Sequence, residues 1–204
     1  PAQAYVANFL ETFKELGLFG GDDSRNVHLL LSLGSAYEKL SHLEKAHESY
    51  TRALELADRH SDTAARAELL GRIGRVLSSW QRWDEALEFL GRSERAFAEV
   101  GDVGGQGSTQ LKRGRAYARQ GEYEKAQEAF EAAARLCQEG DKPRSVAAAN
   151  NNLAILATIR GDLTAAVKGY EACIEAYQDL DDNHGLAGAY HNLGMAHADL
   201  KDHT

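Results

Sequence analysis

The sequence predicts an all-α protein, an α-solenoid of stacked antiparallel helical hairpins, on three observations. First, the chain repeats. Shifted by 40 residues against itself, it aligns Gly34, Gly74, Gly114, Ala154 and Gly194 in one small-residue column. The same shift aligns Ala46, Ala86, Ala126 and Ala166. It also brings into register the large apolar Tyr50, Leu90, Phe130 and Tyr170, the apolar Leu43, Trp83, Tyr123 and Leu163, and the small Ala53, Ser93, Ala133 and Cys173. Second, each unit holds two amphipathic stretches, such as "VHLLLSLGSAYEKL" and "LEKAHESYTRALELA", with apolar residues recurring at three and four. Third, only 2 prolines interrupt 204 residues, and β-branched residues are few.

Taken in order, residues 1–22 are a half repeat. Residues 3–17, "QAYVANFLETFKELG", carry the register of a second helix without its first. Full hairpins follow over 23–62, 63–102, 103–142 and 143–182, and residues 183–204 form a closing half repeat, with 183–200 a first helix lacking its second. The whole of 1–204 reads as one solenoid, an excerpt from a longer array. In each hairpin the small columns let two helices approach and the aromatic column fills the gap beside them. One hairpin cannot bury its own faces, so neighbours stack into a continuous core.

The stretch "GDVGGQGSTQ" at 101–110 invites a phosphate-loop reading and does not satisfy it. Counting from Gly101 to Ser108 puts Gln106 at the second required glycine and Gly107 at the required lysine, and a helix-like stretch precedes it where a strand is needed. Asp102 instead shares a turn column with Asp22, Asp62 and Asp182, so Gly101 is a helix C-cap and Asp102 an N-cap. Gly104, Gly105 and Gly107 then fall in the first turns of the next helix. Each costs roughly 0.5 to 1 kcal/mol against alanine, which predicts a loosely held helix start. A hinge, a close-packing site and simple tolerance are all open readings.

Those columns carry a resemblance. "LLSLGSAYEKLSHLEKAHESYTRAL" (30–54), "LKRGRAYARQGEYEKAQEAFEAAA" (111–134) and "NNLAILATIRGDLTAAVKGYEACI" (151–174) resemble tetratricopeptide repeats, in a long form of 40 residues. Such long repeats occur in signalling and cytoskeletal adaptors and in bacterial regulatory proteins. The resemblance implies a right-handed superhelix whose first helices line a concave groove, and it says little about role, because such repeats host many.

Charge gives the groove a character. The segments 63–79, 103–120 and 143–160 hold nine Lys/Arg against the single acid Glu68, in a chain of net charge −8. On the implied groove face one column reads Ser32, Arg72, Lys112, Asn152 and Asn192, and another Ser35, Arg75, Arg115, Ile155 and Met195; Arg119, Asn151 and His191 lie near it. Arginine offers a planar fork to carboxylates, and asparagine can pair with both N–H and C=O of an extended peptide. Arg72, Arg75, Lys112, Arg115, Arg119, Asn151, Asn152 and Asn192 are therefore the expected contacts to an acidic protein or peptide partner. The resemblance assigns backbone-gripping to Asn152 and Asn192. His28 and Ser32 stand where chaperone-tail adaptors carry lysine and asparagine, so that full clamp is missing. The plain alternative is a solvated basic face paired between repeats with acidic outer helices.

Other functions find little footing. The acidic balance excludes a general nucleic-acid footprint, no apolar run approaches a membrane span, and no catalytic arrangement stands at readable spacing. No cofactor is implied. His184, His191, His197 and His203 are seven, six and six apart, unlike helical metal pairs. Trp83 reads as core and Trp80 as a partly exposed contact. Cys137 and Cys173 fit a reducing compartment and leave a single disulfide open, and the chain reads as a soluble cytoplasmic scaffold or adaptor. Two further roles are compatible with the pattern: the sensory array of a larger signalling enzyme or transcription regulator, and a module that self-assembles by stacking its unpaired end helices.

Overall fold

The structure, a computed structural model, describes residues 25–202, and every regular element among them is an α-helix. In chain order these are α1 (Arg25–Lys39), α2 (Leu43–Arg59), α3 (Thr63–Ser79), α4 (Trp83–Glu99), α5 (Val103–Gln120), α6 (Tyr123–Glu139), α7 (Pro143–Ile159), α8 (Leu163–Asp179) and α9 (Asn183–Asp202). The half repeat expected over 1–22 and the Asp22 turn lie outside the described residues. Helices α1 to α4 belong to one compact unit and α5 to α9 to a second, divided between Gly101 and Asp102. Within each unit consecutive helices pack on one another; α1 also touches α3, α5 touches α7, and α7 touches α9.

The small column is what brings paired helices together. A Cβ at Gly34 would lie 2.5 Å from Tyr50 Cε1, one at Gly74 2.7 Å from Leu90 Cγ, and one at Gly114 2.5 Å from Phe130 Cδ1. In these three hairpins the large residue thus rests on the bare backbone of the first helix. Tyr50, Leu90, Phe130 and Tyr170 are all buried. In the second small column, buried Ser93 donates its hydroxyl to the Ala67 carbonyl at 2.7 Å, and Cys173 points its thiol at the Ala147 carbonyl at 3.7 Å. A buried polar group is thereby satisfied where an alanine would otherwise stand.

The turns follow one design. Residues 41, 61, 81, 101, 121, 141, 161 and 181 all lie in the left-handed region, with φ between 50° and 84°. The next residue commonly donates its N–H to the carbonyl five back, as Asp62 does to Ala57 at 2.9 Å and Lys142 to Cys137 at 2.8 Å, which closes the preceding helix by the Schellman pattern. Gly101 takes this conformation with φ 70°, and the carboxylate of Asp102 accepts the Gly105 N–H at 2.7 Å. Both capping roles expected for "GD" are present.

The loosely held start of α5 needs correction. Gly104, Gly105 and Gly107 are buried. A Cβ at Gly107 would sit 2.7 Å from both the backbone N and the Sγ of Cys137, and one at Gly140 would strike the Gly104 backbone. The glycines admit α6 at backbone distance, so packing replaces the helix propensity they forgo. Trp83, expected in the core, is instead half-buried; Trp80 is partly exposed as expected and packs on the first unit's core beside His47. Cys137 and Cys173 are both free and buried.

Candidate functional site

The candidate residues fall in two sets, one in each unit. In the first unit Arg72 and Arg75 project from α3, one helical turn apart. Neither waits for a partner. Arg75 donates from Nη2 to Glu38 Oε2 at 2.6 Å, tying α3 to α1, and the same carboxylate oxygen accepts the Tyr50 hydroxyl at 3.0 Å. Arg72 donates to Glu68 Oε1 from Nη2 at 2.9 Å and from Nε at 3.3 Å. Burial pushes the Tyr50 hydroxyl up to about 12, and the negative Glu38 adds to the shift. Burial disfavours the Arg72 charge, but its hydrogen bond to Glu68 and the nearby Tyr50 and Glu38 outweigh it and raise its pKa.

In the second unit α5 carries Lys112, Arg115 and Arg119, α7 carries Asn151 and Asn152, and α9 carries Asn192. Since α5 packs on α7 and α7 on α9, the three first helices lie side by side. Arg115 and Arg119 are exposed, while Lys112 and the three asparagines are half-buried. Asn152 donates from Nδ2 to the Ala148 carbonyl at 2.6 Å, which fixes its amide on its own helix. The Oδ1 of Asn151 is buried with no hydrogen-bond partner, a costly state that a donor N–H would relieve.

Part of the basic excess is spent on architecture. Arg66 reaches Asp58 at 3.4 Å and Glu99 at 3.8 Å, and Arg144 holds Asp182 at 2.8 Å. Arg160 approaches Glu124 at 3.7 Å and bonds Gln127. Arg66 and Arg160 thus join first-helix segments to acidic second helices, and Arg144 joins α7 to the turn that opens α9. The residues not anticipated are Glu38 and Glu68 as partners of the groove arginines, and Tyr50 as a donor to Glu38. The Glu68–Arg72 spacing of four was a readable signal; the Glu38–Arg75 separation of 37 was not.

Among the described residues no three His, Cys, Asp or Glu side chains gather to hold an ion, and His203 lies outside them. Nor is any described helix long and apolar enough to cross a membrane.

Comparison with solved structures shows the fold. BtubC (BKLC) from P. vanneervenii superposes with a TM-score of 0.78 at 20% identity over 99% of this chain and 85% of that one. A Rap protein complexed with competence and sporulation factor gives 0.78 at 16% identity over 98% of this chain, which spans 60% of the Rap chain. Kinesin light chain TPR-like repeats from Podosopora anserina give 0.62 at 20% identity over 87% and 92%. Among curated proteins no sequence matches. Two family models, each described as tetratricopeptide repeat, match residues 65–139 and 145–204 in one case and 27–60 in the other. With most of its length matched and its helices paired through the small and aromatic columns, the chain belongs to the tetratricopeptide repeat family.

Proposed function

We propose that the chain is a non-catalytic protein-interaction module whose second unit holds an acidic, extended segment of a partner protein across α5, α7 and α9. The observation that carries this reading is compositional and spatial at once: residues 103–120 and 143–160 hold six Lys/Arg and not one Asp or Glu, and their helices lie side by side. A surface of one sign attracts an opposite partner and focuses its field, whereas solubility alone favours mixed charge. Lys112, Arg115 and Arg119 meet the partner's carboxylates. Asn151, Asn152 and Asn192 meet its backbone, the unmatched Asn151 Oδ1 accepting a peptide N–H.

The test is titration of a fluorescent hexaglutamate peptide against wild type and Arg115→Glu/Arg119→Glu. Binding should weaken at least about tenfold, on the order of the 1.4 kcal/mol that one lost charge-assisted contact supplies, and should fall steeply with salt. Unchanged affinity in the double variant would remove the assignment.

A second reading, a regulatory array within a larger signalling protein, draws support from the Rap structure, a longer chain solved with a bound factor. A signalling enzyme or DNA-binding domain adjoining this segment in the same polypeptide would favour it.

A further inference from the structure

On the α1–α3 side each groove arginine has a carboxylate of its own, Glu38 for Arg75 and Glu68 for Arg72. The companion positions on α1, Ser32 and Ser35, are polar and uncharged. Arg75 remains 41% exposed in its side chain, so it could be reached from solvent, while Glu38 is only 16% exposed and is pinned from beneath by the Tyr50 hydroxyl. An incoming carboxylate would have to displace an anchored one or sit beside it as a like charge. Glu68 is 46% exposed and held only within its own helix, which makes it the weaker of the two.

We infer that Glu38 and Glu68 are built-in counter-ions that close the first unit's arginine pair to acidic partners. This rests on the reading of the second unit given above, but its test does not depend on it. Glu38→Gln keeps the shape and the acceptor for Tyr50 and Arg75 while removing the charge. Arg75, whose Nε is buried without a partner, would then carry an uncompensated charge at the surface.

The experiment is isothermal titration of hexaglutamate, with hexaglutamine as the uncharged control, against wild type, Glu38→Gln/Glu68→Gln, Arg115→Glu/Arg119→Glu, and all four changes together. Helicity by circular dichroism verifies folding. Wild type should bind one hexaglutamate per chain and Glu38→Gln/Glu68→Gln a second. The fourfold variant should keep the new site and lose the old. Hexaglutamine should respond to none of the changes. A folded Glu38→Gln/Glu68→Gln protein with wild-type stoichiometry and affinity overturns the counter-ion role while leaving the second-unit reading intact. Gain of a site by that variant when wild type binds none supports the counter-ion role and defeats the other reading. If loss of Glu38 prevents folding, Glu68→Gln alone in the Arg115→Glu/Arg119→Glu background should raise hexaglutamate affinity several-fold, and no rise overturns the inference.

Discussion

Gln81 sits at a turn centre with φ 61°, where a Cβ crowds the neighbouring carbonyl oxygen, while Gly121 holds the equivalent place with φ 84° at no such cost. Both are exposed, so packing does not confuse the comparison. Gln81→Gly should raise stability by about 0.5 to 1 kcal/mol and Gly121→Ala should lower it by about 1 kcal/mol, read as urea midpoints. The buried glycines behave oppositely. Gly107→Ala drives a methyl into the Cys137 backbone, 2.7 Å away, and should cost about 1 to 3 kcal/mol. Gly188, with nothing within 4 Å of an added Cβ, should gain about 0.5 to 1 kcal/mol as alanine through helix propensity alone. Tyrosine ionisation offers a different probe. Burial leads in pushing both Tyr50 and Tyr177 up to about 12 from an ordinary value of 10. The folded state therefore keeps protons that the unfolded state gives up. Stability from this source should be constant below pH 10 and decline as pH rises from 10 towards 12. Thermal melts across that window should flatten in Tyr50→Phe/Tyr177→Phe; an equal decline there would place the effect elsewhere.

Helix starts are fixed by aspartates at Asp62, Asp102, Asp162 and Asp182, each accepting a backbone N–H three residues on, at 2.9, 2.7, 3.0 and 3.1 Å. Asp162→Ala should cost about 1 kcal/mol. Asp182 is further distinguished, since the Gly185 N–H leads in holding its carboxyl below the usual range, with Arg144 contributing. Its contribution is complete above the ordinary carboxylate pKa of 3.8 and is lost as pH falls through the lower folded value. Asp182→Asn should accordingly unfold less steeply in acid than wild type, by circular dichroism. At this scale the sequence was readable wherever chemistry recurs, as in the Gly34, Ala46 and Tyr50 columns or the aspartate caps. It hid the step of a single helix and turn. Ser41, Ser61, Gln81, Gly101 and Asp141 share no side-chain character, only a backbone state, and only comparison of their φ values exposes it. The close approach at Gly107 was hidden for a related reason: glycine's helix cost is visible in a sequence, and the partner that offsets it is not.

For the molecule as a whole, the electrical asymmetry was legible and its distribution was not. Counting nine Lys/Arg against Glu68 identifies the basic helices. It cannot show that Arg66, Arg72, Arg75, Arg144 and Arg160 already hold carboxylates, because most of those partners lie on other helices. Candidate contacts on α5, α7 and α9 emerged from columns alone, whereas Glu38 became a groove residue only through the packing of α1 on α3. Every joint offers the same stereochemistry, so recombination can splice at any of them without local strain. The faces impose a parity. Excising residues 123–162 joins α5 to α8 and seats Tyr170 over Gly114, a sound pair. Excising 123–142 alone sets two first helices together with neither large column between them. Whole hairpins can thus be added or removed with the packing faces still matched, whereas a single helix cannot.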